Sequence, residues 1–172
     1  MYYKTTYQSP VGTLTLASDG ENLVGLWIEG QKYHGETIYK DMTVKNDVPV
    51  FNGTKKWLDR YFNGDKPCPH ELQIAFDCSD FRRDVLGILR EIPYGKLTTY
   101  GEVAKKIALK AGKQQMSSRA VGGAVGHNPV SIIIPCHRVV GSNGSLTGYS
   151  AGVKTKAKLL ELEGVDVQSA IR

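Results

Sequence analysis

The hydrophobic pattern of this chain shifts near residue 81 from mainly alternating to mainly helical, and that shift sets the fold class. Before it, apolar residues mostly alternate, as they do in half-buried strands; after it, they recur at helical spacing. Tyr2 to Gln8 is rich in Tyr and Thr, residues that favour strands. Ser9-Pro10-Val11-Gly12 is a turn, Leu14 and Leu16 alternate with Thr, and Asp19-Gly20 leads by a hairpin into a strand over Leu23 to Ile28. These predict an antiparallel meander. Phe51, Leu58, Tyr61 and Phe62 fit a helix from Pro49 to Phe62, closed by Gly64-Asp65-Lys66-Pro67. Leu72, Ile74, Phe76 and Cys78 alternate again and predict one more half-buried strand.

Helices follow. Phe81, Val85, Ile88 and Leu89 lie at helical spacing up to Ile92, and Pro93-Tyr94-Gly95 breaks the pattern. Thr99-Tyr100-Gly101-Glu102 is a capping box opening a second helix, with Val103, Ala104 and Ile107 inside. After the turn at Ala111-Gly112-Lys113, Ser117 or Ser118 caps a third helix to Gly126, and the last two helices are spaced like a helix-turn-helix. The expected class is α+β. A small N-terminal antiparallel-sheet domain with a helix occupies 1–80, and a helical domain occupies 81–172.

Charge follows the same division. Residues 1–81 hold 8 basic and 11 acidic side chains, whereas 82–172 hold 14 and 6. The overall charge of +5 is therefore concentrated in the helical half, which points to a polyanion such as nucleic acid. No run reaches the ~20 apolar residues that cross a bilayer. The start, Met1 to Thr6, lacks the apolar stretch of a signal peptide. Three cysteines, Cys68, Cys78 and Cys136, are too few and too odd in number for a disulfide framework. The expectation is a cytoplasmic protein with free thiols. His34, Cys68, His70 and Cys78 have the right types for zinc, but no close Cys-x-x-Cys pair exists, and Cys78 reads as a small hydrophobe; no metal is expected.

The third helix, Arg119-Ala120-Val121-Gly122-Gly123-Ala124-Val125-Gly126, carries three glycines and one charge. A helical Gly costs up to ~1 kcal/mol relative to Ala, so something must offset it. Either another helix packs closely there, or a ligand backbone does, with Arg119 supplying charge. The helix lacks the long polar side chains that read a major groove, so the second choice means minor-groove docking with little sequence readout.

Beyond Asn128-Pro129, the run Ile132-Ile133-Ile134 reads as a short buried strand stopped by Pro135. Cys136 then sits just past a strand end. A free thiol is only a few per cent ionised at neutral pH, and His137 or Arg138 could raise that fraction. Adjacent residues of an extended strand face opposite ways, so His137 can serve Cys136 only if the chain turns or a water bridges them. Without that, both read as ordinary buried side chains. Asn128 can bond the neighbouring backbone and hold the link. Thr147 to Gly152 is a loop around Tyr149. Val153, Ala157, Leu159 and Leu160 make a last helix with Lys154, Lys156 and Lys158 outside, and Glu163-Gly164 marks its end.

Ile134-Pro135-Cys136-His137-Arg138-Val139-Val140 resembles the active-site signature of the O6-alkylguanine-DNA alkyltransferases, also called methylated-DNA–protein-cysteine methyltransferases. Pro93-Tyr94-Gly95, Thr99-Tyr100, Ser118 to Ala124, Asn128-Pro129 and Gly148-Tyr149-Ser150 extend the resemblance from about Phe81 to Gly164. It implies a ribonuclease H-like N-terminal domain and a C-terminal domain of helix-turn-helix or winged-helix type. It implies that Cys136 accepts the alkyl group from O6 of a flipped guanine, once and irreversibly, with no cofactor. O4-methylthymine is a second candidate substrate. His137 would be the base acting through a water, oriented by Glu163, with Asn128 bracing the turn. Arg119 would enter the duplex, with Ala120, Gly123 and Ala124 at the groove. Tyr100 would promote flipping and donate a proton. Tyr149, Ser150 and the backbone at Val139 would line the base pocket. The partner would be double-stranded DNA carrying alkylated guanine, bound by a monomer. One departure is Ala111 to Met116, longer than is common in the family, which bears on the local DNA contact. Two other readings compete: a DNA-binding module without transfer chemistry, against which Cys136 itself argues, and a Cys-His hydrolase, for which no oxyanion motif is present.

Overall fold

A computed structural model describes residues 1–32, 42–75, 77–146 and 148–167. The chain divides into two compact units, one of residues 1–77 with 129–131, the other of 78–128 with 132–172.

In the first unit, β1 (Tyr2–Ser9), β2 (Gly12–Ser18) and β3 (Leu23–Ile28) form the expected meander. Asp19 stabilises its second turn by accepting from the amides of Glu21 and Asn22. The sheet is mixed rather than purely antiparallel, because β4 (Met42–Val44) adds in parallel to β1, giving the order β3-β2-β1-β4. α1 (Pro49–Phe62) begins at a proline that needs no amide partner there, and turns Phe51, Trp57, Leu58 and Tyr61 inward. Leu14, Leu16, Leu26 and Ile28 are buried. Ala17, Val24 and Trp27 form a separate cluster with Tyr2 and Met42.

The strand expected over Leu72 to Cys78 does not form among the described residues. Ile74 makes only an isolated bridge to Leu23, and the flanking bonds are Leu23 N to Gln73 O and Ala75 N to Leu23 O. Phe76 lies outside the described residues. Alternation shows which side chains can be buried, but a strand also needs a continuous partner row of backbone groups.

The second unit packs α2 (Asp80–Arg90), α3 (Tyr100–Lys110) and α4 (Ser118–Gly126) on one another. Each begins with a hydroxyl cap: Ser79 accepts from Arg82 N, Thr99 from Glu102 N and Ser117 from Ala120 N. β5 (Thr98–Thr99) pairs in parallel with β6 (Val139–Val140), and α5 (Val153–Leu162) closes the unit. None of the described helices is long and apolar enough to cross a membrane.

Gly25 lies beneath Trp27; an added Cβ would come within 2.1 Å of the indole ring. Gly25→Ala should therefore destabilise the protein by about 1–3 kcal/mol, the usual cost of overfilling a packed site. A shift in urea midpoint checks this.

Candidate active site and nucleic-acid interface

The Ile run is not a strand. It winds through turns, and Ile132 has φ of 72°, a left-handed conformation that costs a β-branched residue about 1–3 kcal/mol. A buried apolar run suits a turn enclosed on all sides as well as a strand. Pro135, at φ −82° and ψ 66°, makes an inverse γ-turn, and the Cys136 amide donates to the Ile134 carbonyl at 2.8 Å. Cys136–Arg138 then form a single 3-10 turn. The chain thus turns where extended geometry would have separated Cys136 from His137.

Cys136 and His137 are buried, the latter completely. Glu163, just past the end of α5, is also buried. His137 Nε2 lies 2.6 Å from Glu163 Oε2. Arg138 donates to the same carboxylate twice, from Nε to Oε1 at 2.8 Å and from Nη2 to Oε2 at 3.0 Å. The Gly95 amide donates to Oε1 at 3.0 Å. Gly95 has φ of 78°, and a Cβ there would sit 3.1 Å from the Glu163 carbonyl, so Pro93-Tyr94-Gly95 is the turn that delivers this amide. Although burial acts to raise the Glu163 pKa, the bonds and charges of His137 and Arg138 hold it well below the usual carboxylate range. Glu163 is therefore an acceptor only, so Nε2 of neutral His137 carries the proton and Nδ1 is its basic nitrogen. Burial pushes the imidazole pKa down, which favours that neutral form.

Around the sulfur, burial pushes the Cys136 thiol above its ordinary value, opposed by the Asn128 side chain, the Lys156 charge and the Tyr149 hydroxyl. Asn128 also donates from Nδ2 to the Ile134 carbonyl at 2.8 Å, and so ties the end of α4 to the reactive turn. Lys156 corrects the sequence reading. Expected outside with Lys154 and Lys158, it is 0% exposed, while Val153, expected inside, is exposed. The Lys156 ammonium donates to the Val139 carbonyl and lies 5.9 and 6.0 Å from the ring centroids of Tyr100 and Tyr149. Burial lowers its pKa to about 8. The signal was present: Lys156 shares one helical face with Leu159, Leu160 and Glu163. Arg138 and Gly95 lie in motifs of the sequence, but nothing local in it links either to Glu163.

Val139 and Tyr149 are buried, and Ser150 and Tyr100 are half-buried. The β5–β6 pairing sets Thr99 beside Val140, which brings Tyr100 toward the reactive turn. Burial, then the nearby Cys136 thiolate charge, raises the Tyr100 pKa to about 12, so its hydroxyl is protonated at neutral pH.

On α4, Arg119, Ala120 and Gly123 are exposed on one face. Ala124, expected with them, is 5% exposed and packs inward with Val121 and Val125, as the helical period requires. A Cβ on Gly122 would meet the Tyr100 ring at 4.0 Å, but on Gly123 or Gly126 it would meet no described atom within 4 Å. Internal packing therefore does not account for the last two glycines. For the zinc question, Cys68 is exposed and Cys78 half-buried, and His34 lies outside the described residues. No group of three His, Cys, Asp or Glu side chains suited to a metal occurs among the described residues.

Residues 80–165 match the DNA binding domain of 6-O-methylguanine DNA methyltransferase, and residues 2–76 match that family's ribonuclease-like domain. The chain belongs to this family. A methylated-DNA–protein-cysteine methyltransferase of Haemophilus influenzae is 40% identical over 95% of this chain and 87% of its own. The Mycobacterium tuberculosis O6-methylguanine methyltransferase structure is 39% identical with a TM-score of 0.78, covering 95% of this chain and 93% of its own. The Mycobacterium tuberculosis structure in complex with DNA is 38% identical at 0.79, covering 99% and 94%.

The Glu163 site predicts an acid-labile stability. A folded-state pKa below the unfolded one gives stability that is full above about pH 5 and is lost as pH falls through the carboxylate range. Glu163→Gln should cost about 3 kcal/mol at pH 7, because Arg138 loses its counter-charge, and the gap from the parent should narrow below about pH 4. Urea unfolding across pH tests both statements.

Proposed function

We propose that the protein repairs O6-methylguanine in duplex DNA by moving the methyl group to Cys136, once per molecule. It works as a monomer in the cytoplasm without a cofactor, with O4-methylthymine as a second substrate. The observation that carries this reading is the buried cysteine on a turn whose next residue, His137, is hydrogen-bonded to a buried carboxylate at 2.6 Å.

The methyl lies within the stack, so the nucleotide must first leave the duplex, at a cost of a few kcal/mol. Arg119 fills the space it vacates. The open surface over Gly123 and Gly126 lets the backbone approach closely. Tyr149, Ser150 and the backbone at Val139 receive the base. His137 takes the thiol proton through a water at Nδ1, while Glu163 holds the imidazole and stabilises its charge. Lys156 and the Asn128 amide favour the thiolate against burial. The sulfur lone pair then attacks the methyl carbon, the carbon–O6 bond breaks, and its electron pair stays on the guanine. Tyr100 gives a proton to the base, and the proton held on His137 passes through water to restore the tyrosine. A thiol and O6-methylguanine thus become a methyl thioether and guanine. The thioether has no ready reversal.

Mass spectrometry after incubation with an O6-methylguanine duplex should show one methyl on Cys136, and none in Cys136→Ser. No adduct would favour a binding module, and repeated turnover a hydrolase. Arg119→Ala should slow repair of duplex far more than reaction with the free modified base; equal losses would remove Arg119 from the helix. Gly123→Ala should separate fold from function. Stability should rise by about 0.5–1 kcal/mol, since Ala is the better helix former, while affinity for duplex falls. Paired melting and titration measurements check both signs.

A further inference from the structure

Arg138 has no part in the chemistry described above, yet it is a buried charge with an ordered set of partners. Its fork spans both oxygens of Glu163, its third donation runs from Nη1 to the Ile92 carbonyl, and its guanidinium lies 5.7 Å from the Tyr94 ring centroid. Tyr94 is itself tied by its hydroxyl to the Leu162 carbonyl at the end of α5. A planar fork fixes the plane of the carboxylate it grips, which a lysine cannot do. Oε2 therefore meets His137 at an angle set by Arg138.

The charges follow the same logic. A buried carboxylate whose nearest neutralising group is a histidine draws a proton onto that histidine. Here Arg138 supplies a permanent positive charge on both carboxylate oxygens. The groups facing His137 are Glu163 and Lys156 from α5, Cys136 and Arg138 from its own turn, and the Tyr149 ring edge-on at 6.5 Å. Glu163 draws a proton to the imidazole; Arg138 and Lys156 both oppose it.

We propose that Arg138 is a positioning residue that claims the charge of Glu163 through its fork and so keeps His137 a neutral, Nε2-protonated base. This rests on the reading of Cys136 as acceptor with His137 as its base. Losing the arginine raises the imidazole pKa, so His137 would hold a proton at neutral pH and release it as pH rises.

The test uses the full chain as Arg138→Met, which removes charge and fork, and Arg138→Lys, which keeps charge alone. Nitrogen NMR of the His137 ring reports protonation and tautomer without DNA. Single-turnover methyl transfer from an O6-methylguanine duplex, followed against pH, reports the base. In the parent, His137 should be neutral and Nε2-protonated from pH 6 to 8. In Arg138→Met it should titrate within that range, and transfer at pH 7 should fall about tenfold, as expected for an imidazole pKa one unit above that pH, recovering toward pH 9. Arg138→Lys should keep His137 neutral and Nε2-protonated but shift its ring nitrogen signals, because the carboxylate plane is no longer fixed, with an intermediate rate. A folded Arg138→Met with an unchanged His137 signal, or a loss equal at every pH, would overturn the proposal. If Arg138→Met does not fold, an Arg138→Lys protein indistinguishable from the parent overturns it. Failure of the parent to methylate Cys136 would instead strike the acceptor reading and leave the NMR result standing.

Discussion

The Glu163 carboxylate is the point on which the reactive half of this protein depends. Gly95, Arg138 and His137 direct four donations at its two oxygens, about as many as a carboxylate accepts. Three segments distant in sequence meet there: the turn after α2, the 3-10 turn and the end of α5. An isolated buried carboxylate would be protonated instead. Saturation keeps it ionised, and ionisation fixes the imidazole tautomer and the base nitrogen.

The sulfur is managed differently. Burial disfavours its anion, which protects a resting thiol from side reactions, while the Asn128 amide, Lys156 and Tyr149 all lean toward the thiolate. Arg138 pairs with Glu163, and Lys156 adds a buried positive charge beside the Val139 carbonyl and two tyrosine rings. On the proposed mechanism, a positive charge held there favours an anion that exists only briefly. The same helix, α5, supplies both Lys156 and the approach to Glu163.

The α4 face that we propose meets DNA follows from the opposite tactic, which is omission. α4 keeps Val121, Ala124 and Val125 inside and presents Arg119, Ala120 and Gly123 outside. The helix gives up stability at glycines that no described neighbour requires. In the proposed binding mode, small side chains there leave room for a polyanion's backbone, and Arg119 is the one charged side chain of the helix.

The division into a sheet half and a helical half, the helix caps, and the Pro-Cys-His-Arg motif were legible in the sequence, because each rests on local periodicity or on neighbours within four residues. The meander, α1 and the three capped helices agree with that reading. The strand over Leu72 to Cys78, the strand over the Ile run, the parallel edge strand β4 and the outward placing of Lys156 were decided otherwise. Each depends on a partner far along the chain: a backbone row for the strands, the Val139 carbonyl for Lys156, and Gly95 and Arg138 for Glu163. By itself the sequence determined which atoms could react. Only the tertiary structure decided their ionisation, since burial and charge at short range arise when segments separated by tens of residues are brought together.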